Sequence, residues 1–165
     1  MAITADQVKK LRERTGAGVM DCRRALEQTG GDEERAIELL RQQGLERAEK
    51  KAGRETRQGL VEAYIHAGGR VGALVELNCE TDFVARNPQF RELAHEIAMQ
   101  VAAMNPARVG DEPTGDGAAP DGEALLDQAY IRDNRQTIRD LLKGAIATFG
   151  ENITIRRFAR FELGG

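Results

Sequence analysis

Val61-Glu62-Ala63-Tyr64-Ile65-His66-Ala67-Gly68-Gly69-Arg70-Val71-Gly72-Ala73-Leu74-Val75-Glu76-Leu77-Asn78 is the stretch from which the fold is read. Val61, Ala63 and Ile65 alternate with Glu62, Tyr64 and His66. Past the Ala67–Arg70 turn, Val71, Ala73, Val75 and Leu77 alternate with Gly72, Leu74, Glu76 and Asn78. Period two on both arms, joined by a double glycine, predicts a β-hairpin with one apolar face buried. Helical periodicity flanks it on both sides, so the expected class is α+β: a small antiparallel sheet packed with helices.

Toward the N-terminus, residues 1–44 read as three short helices. Thr4 caps the first, with Gln7 three positions on as in a capping box, and Val8 and Leu11 form its apolar stripe before Gly16. The second, from about Met20 to Thr29, turns Cys22, Ala25 and Leu26 inward and stops at Gly30-Gly31. Asp32 caps the third, with Ala36, Ile37 and Leu40 inward, and Gly44 is expected to close it. Residues 45–58 are charged and mostly unbranched, with acids interleaved among bases. They read as a solvated helical linker rather than a basic patch for RNA, because the opposite charges cancel much of the field.

Toward the C-terminus, Asn87-Pro88 opens a helix that carries Phe90, Leu93, Ala94, Ile97, Val101 and Met104. Residues 106–124 are rich in Gly, Pro and Asp and read as a flexible loop. Leu125–Ile131 reads as an extended piece. A periodic helix with Ile138, Leu141, Leu142, Ala145, Ile146 and Phe149 follows, ended by Gly150. Asn152–Leu163 reads as a strand with Ile153, Ile155, Ala159, Phe161 and Leu163 on one parity and Arg157 interrupting that face. Residues 59–165 together form the expected α+β core.

Composition narrows the function. At 165 residues the chain can bury a core without disulfide or metal staples. Its net charge of −3 supplies no basic field for nucleic acid or anionic lipid. Aromatics are 4% with no Trp, which argues against a base-stacking platform. No run approaches the roughly 20 apolar residues of a membrane span. Met1-Ala2-Ile3-Thr4 turns polar at once, so no secretory leader is expected. Cys22 and Cys79 lie far apart without metal spacing, and a reduced, cytoplasmic setting fits them. No metal or cofactor is expected.

Catalytic constellations are scarce. Cys79 and His66 stand on adjacent hairpin arms, so a thiol–imidazole pair is one reading; a buried small thiol and a surface imidazole is the other. Gly16-Ala17-Gly18 lacks the lysine and the strand–helix context of a phosphate loop. Two segments call for another explanation. In Thr15-Gly16-Ala17-Gly18-Val19-Met20-Asp21 the glycines shape a bend, and Val19 and Met20 either pack into the bundle or form an exposed contact loop. In Asn78-Cys79-Glu80-Thr81-Asp82-Phe83-Val84-Ala85-Arg86-Asn87, Phe83 either plugs the sheet–helix interface or projects as a wedge beside the carboxylate of Asp82. A buried ring is worth about 2 kcal/mol to whichever surface receives it.

These segments carry a resemblance. Val8 to Cys22, Glu76 to Asn87, and Gly150-Glu151-Asn152-Ile153 through Arg156 to Gly164 resemble, in order, the blocks of the bacterial translation elongation factor Ts family. The resemblance implies a UBA-like three-helix bundle, then an α+β core. It implies a guanine nucleotide exchange factor, not an enzyme, acting on elongation factor Tu in its GDP-bound and nucleotide-free forms. Thr81, Asp82, Phe83 and Val84 resemble the segment that disturbs the partner's Mg2+ site. Leu11, Arg12, Thr15, Gly16, Ala17, Gly18, Val19, Met20 and Asp21 resemble the surface that docks on its nucleotide-binding domain. Longer family members duplicate half of the core, so a single half implies a homodimer in which a second subunit replaces the other. Two other readings compete: an interaction module whose core only dimerises, and a thiol enzyme built on Cys79.

Overall fold

The computed structural model describes residues 2–111 and 122–165. The chain is α+β and divides into two compact units, one comprising residues up to Ala52 together with Lys143–Gly150, the other Gly53–Leu142 together with Glu151 onward.

The first unit begins with α1 (Ala5–Thr15), α2 (Val19–Gln28) and α3 (Glu33–Lys51). The Thr4–Gln7 capping box is formed in both directions, Gln7 N–H donating to Thr4 Oγ1 at 3.3 Å and Thr4 N–H to Gln7 Oε1 at 2.9 Å. Gly16 ends α1 in the left-handed region at φ 69°. Asp32 caps α3 by accepting from Arg35 N–H. Val8, Leu11, Cys22, Ala25, Leu26 and Ala36 make the core, with Ile37 and Leu40 partly buried against it.

The expected stop at Gly44 is corrected. α3 runs through Gly44 for 19 residues, so residues 45–51 of the expected linker continue the same helix. A Cβ at Gly44 would lie 3.0 Å from Ala147 Cβ. The glycine permits a close approach between two helices of this unit and does not end one of them. Ala48 is buried one turn on, and Arg47 reaches Asp21 at 3.2 Å.

In the second unit β1 (Gln58–Ile65), β2 (Val71–Cys79) and β5 (Thr154–Glu162) form an antiparallel sheet in the order β1-β2-β5. Asn87 caps α5 (Pro88–Met104), whose Phe90, Leu93, Ala94, Ile97, Ala98 and Val101 bury against the sheet. The one-turn α4 (Asp82–Ala85) lies between β2 and α5.

Register corrects the reading of two strands. Leu60 pairs with Leu77, Glu62 with Val75 and Tyr64 with Ala73. Directly paired residues share a face, so burial of Ala73, Val75 and Leu77 brings Leu60, Glu62 and Tyr64 inward. Val61, Ala63 and Ile65 are left exposed. Glu62 is accommodated by Arg91 at 2.8 Å and His95 at 3.9 Å. On β5, Arg157 pairs with Glu76 but Ile155 with Leu77, so Arg156 is an extra residue in the ladder. The bulge switches the buried parity from Ile155 to Phe158 and Arg160, and it turns Ala159, Phe161 and Leu163 to the exposed face.

The expected extended piece at Leu125–Ile131 is a 3-10 turn (Leu125–Asp127) followed by a two-stranded ribbon, β3 (Ala129–Tyr130) with β4 (Asp133–Thr137). Buried Gln100 binds it, donating to Gln128 Oε1 and the Ala129 carbonyl and accepting from Ile131 N–H. The expected loop at 106–124 lies largely outside the described residues. Its two ends are held together, Ala107 N–H donating to the Glu123 carbonyl and Leu125 N–H to that of Arg108. α6 (Ile138–Phe149) then leads to Gly150 and β5. Among the described residues no helix is long and apolar enough to cross a membrane.

Candidate functional site

β2 ends at Cys79, and the chain enters α4 through Glu80 and Thr81. Four residues form too short a helix to persist by their own hydrogen bonds. Its shape is imposed from three sides. Below, Val84 is 6% exposed and anchors the turn. At the start, Thr81 Oγ1 accepts from Val84 N–H at 3.4 Å as the N-cap. Beside it, the carboxylate of Glu151 accepts from Glu80 N–H at 3.1 Å, Thr81 N–H at 2.9 Å and the Thr81 hydroxyl at 2.6 Å.

On this pedestal Phe83 is 82% exposed. Of the two readings of its ring, burial at the sheet–helix interface is therefore not the one realised. Val84 occupies the buried position instead. Asp82 is exposed beside it and pairs with Arg86 at 3.2 Å. The segment thus presents an aromatic ring and a carboxylate on a turn whose backbone is fixed.

The thiol reading does not survive the geometry. Cys79 pairs with Gln58 at one end of the hairpin, while Ile65, next to His66, pairs with Gly72 at the other. Roughly 20 Å of strand separates them at ~3.3 Å per residue. Burial, with the charge of Glu151 second, pushes the Cys79 thiol up to about 11. A nucleophilic cysteine needs the opposite shift. The protonated thiol instead donates to the Thr81 carbonyl at 3.2 Å. His66 accepts or donates at Nδ1 with the Tyr64 hydroxyl, and His95 packs edge-on against Tyr64.

In the first unit, the stretch singled out at Thr15–Asp21 forms the entry to α2. Thr15 Oγ1 donates to the Leu11 carbonyl and accepts from Ala17 N–H, which tightens the bend. Gly16 and Gly18 are exposed, Ala17 is half-buried, and Arg12 is exposed. Val19 and Met20, the latter 62% exposed, stand outside the bundle core. Two expected contact residues are placed differently from this surface. Leu11 is fully buried, so it shapes the bend from beneath without offering its own side chain. Asp21 is clasped by Arg24 at 2.6 Å and Arg47 at 3.2 Å; the hydrogen bond from Arg47 comes first in holding its carboxyl below the usual range.

The contact that sequence reasoning missed is that of Glu151. The available signal was a carboxylate immediately after a helix-ending glycine, Gly150, whose φ is 74°.

Comparison with known proteins gives a consistent picture. The family model described as Elongation factor TS matches residues 42–116 and 80–165. Elongation factor Ts of Nitratidesulfovibrio vulgaris is 48% identical over 196 aligned positions, which cover 99% of this chain and 98% of that protein. Elongation factor Ts of Leptospira biflexa is 48% identical over 197 positions and all of both chains, and that of Caldanaerobacter subterraneus 48% over 194, covering 98% and 97%. Identity of this order along nearly the whole of both partners, with a family match over most of the residues, establishes that the chain belongs to the elongation factor Ts family of translation elongation factors.

Proposed function

We propose that this chain is a guanine nucleotide exchange factor for elongation factor Tu: it promotes GDP release by disturbing the partner's Mg2+ and nucleotide site, and it stays bound through the nucleotide-free intermediate until GTP enters. The observation that carries the reading is Phe83, an almost fully exposed ring on a turn fixed at its base by Val84, Thr81 and Glu151. A wedge acts only if its mounting yields less than the surface it enters. Thr81 and Val84 serve in the mounting, while Phe83 and Asp82 face the partner.

The mechanism is linkage. A factor that binds the nucleotide-free partner more tightly than the GDP-bound one lowers nucleotide affinity by the same ratio. Displacing Mg2+ removes the largest positive charge beside the diphosphate. No covalent step is involved, and the chain acts without being an enzyme in the bond-making sense. Val19 and Met20, with Arg12 and the Thr15–Gly18 bend, supply an apolar docking surface on a bundle we read as UBA-like. Partners are proteins, with no direct contact to nucleic acid or membrane, and the setting is the cytoplasm.

The same reading includes a homodimer. Val61, Ile65, Leu74, Phe161 and Leu163 are exposed large apolar residues on or beside the sheet face opposite α5. A second copy presenting the same face would cover them isologously.

The test is release of a fluorescent GDP analogue from elongation factor Tu of the same organism. Acceleration by the chain, mostly lost in Phe83→Ala, is the expected result. No acceleration by a folded chain sinks the exchange reading and favours an interaction module.

A further inference from the structure

We infer that Glu151 is a positioning residue for nucleotide exchange: its carboxylate clasps the backbone and hydroxyl that set the angle at which Phe83 is presented. The inference rests on the exchange reading above.

The clasp is reciprocal. Glu151 accepts three hydrogen bonds from Glu80 and Thr81, and the Glu80 carboxylate accepts in turn from Asn152 N–H at 2.7 Å. Two loops thus exchange carboxylates across the start of α4 and the start of β5. Two acidic groups side by side are tolerable because each faces N–H donors, and Arg54 stands 3.7 Å from Glu80. Asn152 extends the tie by donating its side-chain amide to the Arg54 carbonyl at 2.8 Å.

Thr81 links the clasp to the helix. Its hydroxyl has one proton and two lone pairs. An ionised carboxylate only accepts, so the proton is directed to Glu151 at 2.6 Å. That leaves the lone pairs for Val84 N–H, the N-cap bond. Glu151 therefore fixes both the backbone before α4 and the rotamer of the residue that caps it. Cys79 adds a third tie, through its thiol to the Thr81 carbonyl. Phe83 itself is exposed, and its direction is inherited from this base.

The experiment uses the full chain in six forms: wild type, Glu151→Ala, Glu151→Gln, Phe83→Ala, and Phe83→Ala combined with each of the two Glu151 substitutions. Release of a fluorescent GDP analogue from elongation factor Tu is followed at saturating factor, and amide hydrogen exchange is followed at Glu80 and Thr81. Glu151→Ala is expected to lower the maximal acceleration about tenfold or more, in keeping with the cost of misplacing a working group by about 1 Å. It should also expose both amides to exchange. Glu151→Gln keeps one oxygen for the two N–H groups and is expected to retain their protection and recover part of the rate. In the Phe83→Ala background, loss of Glu151 should cost nothing further, because a positioning residue acts through the group it positions.

Three results overturn the inference. One is Glu151→Ala matching wild type. A second is its loss recurring in full without the Phe83 ring, which marks general destabilisation. A third, should Glu151→Ala not fold, is Glu151→Gln reducing the rate equally with and without the ring. Failure of the exchange reading shows separately, as a wild-type chain that does not accelerate release at all.

Discussion

Phe83 is 82% exposed and its neighbour Val84 is 6% exposed. A single turn of helix sends the two adjacent apolar side chains in opposite directions, one into the protein and one into solvent. The separation makes stability and activity independently addressable. Phe83→Ala is expected to leave the denaturation midpoint unchanged while abolishing most of the acceleration of GDP release. Val84→Ala, which removes buried methyl groups, is expected to cost about 1–2 kcal/mol. Urea unfolding of both variants, beside release kinetics, checks the pair; a destabilised Phe83→Ala would mean that its ring supports the fold after all.

Much of this architecture was legible in the chain. The capping box at Thr4–Gln7 and the Asn87-Pro88 start of α5 are short-range chemistry, and each formed where the residues placed it. What failed to show was long-range. Val61, Ala63 and Ile65 have the alternation of a buried face, but their pairing with β2 is a relation between two strands, and it put Glu62 inward instead. The Arg156 bulge exists only as a slip between β5 and β2, although Arg157 marked the spot by breaking the apolar parity. β4, Asp-Asn-Arg-Gln-Thr, has no apolar residue and so no period to read. The exposed Phe83 followed from resemblance, since periodicity left its ring equally suited to the interior. The Glu151 clasp joins residues 70 positions apart, and its one local sign, a carboxylate just after the helix-ending Gly150, does not name the partner.

Gly44 offers a test of helix packing. A helix-stopping glycine resists substitution through its left-handed backbone, whereas Gly44, inside α3, has Ala147 Cβ only 3.0 Å from where a Cβ would stand. Gly44→Leu gains helix propensity, yet overpacking at this distance is expected to destabilise the first unit by about 1–3 kcal/mol. Thermal unfolding reads the sign, and stabilisation by Leu would show that the two helices do not press together there.

Cys79 predicts an alkaline limit to stability. In the unfolded chain its thiol ionises near its ordinary 9.0, whereas in the folded protein burial holds it protonated to about 11. Between these values the native state binds the extra proton, so stability falls as pH rises, by at most about 1.4 kcal/mol per pH unit from this group. Below pH 9 the contribution is flat. Cys79→Ala should lose this slope between pH 9 and 11, measured by urea titrations. A variant with the wild-type slope would assign the alkaline loss to other groups.

Asp21 predicts the complementary acid behaviour. The Arg47 and Arg24 guanidinium groups hold its carboxyl below the usual range. Its contribution is therefore present at neutral pH and is lost as pH falls through the lowered value. Arg47→Ala is expected to raise the Asp21 pKa toward the ordinary 3.8, seen by NMR titration of its carboxyl carbon. The stability cost at pH 7 should stay within about 1 kcal/mol, because the pair lies near the surface. An unmoved Asp21 would transfer the cause to Arg24.

The outer sheet face predicts the assembly state. Ile65 lies flat over Gly72, where a Cβ would meet its Cδ1 at 2.6 Å, and Phe161 stands opposite Gly72 on the neighbouring strand. Leu74 continues the same side, paired with Ala63 and Ala159. One row of the sheet thus offers an exposed apolar surface, and surfaces of this kind mark association sites. Phe161→Glu places a charge in this apolar surface, and burying it against a second copy would strip its water without a partner. Sedimentation equilibrium is expected to show a dimer for the wild-type chain and a monomer for Phe161→Glu, with both retaining a cooperative unfolding transition. A wild-type chain that stays monomeric at tens of micromolar would leave this face to a different protein, and Phe161→Glu would then alter binding to elongation factor Tu without altering mass.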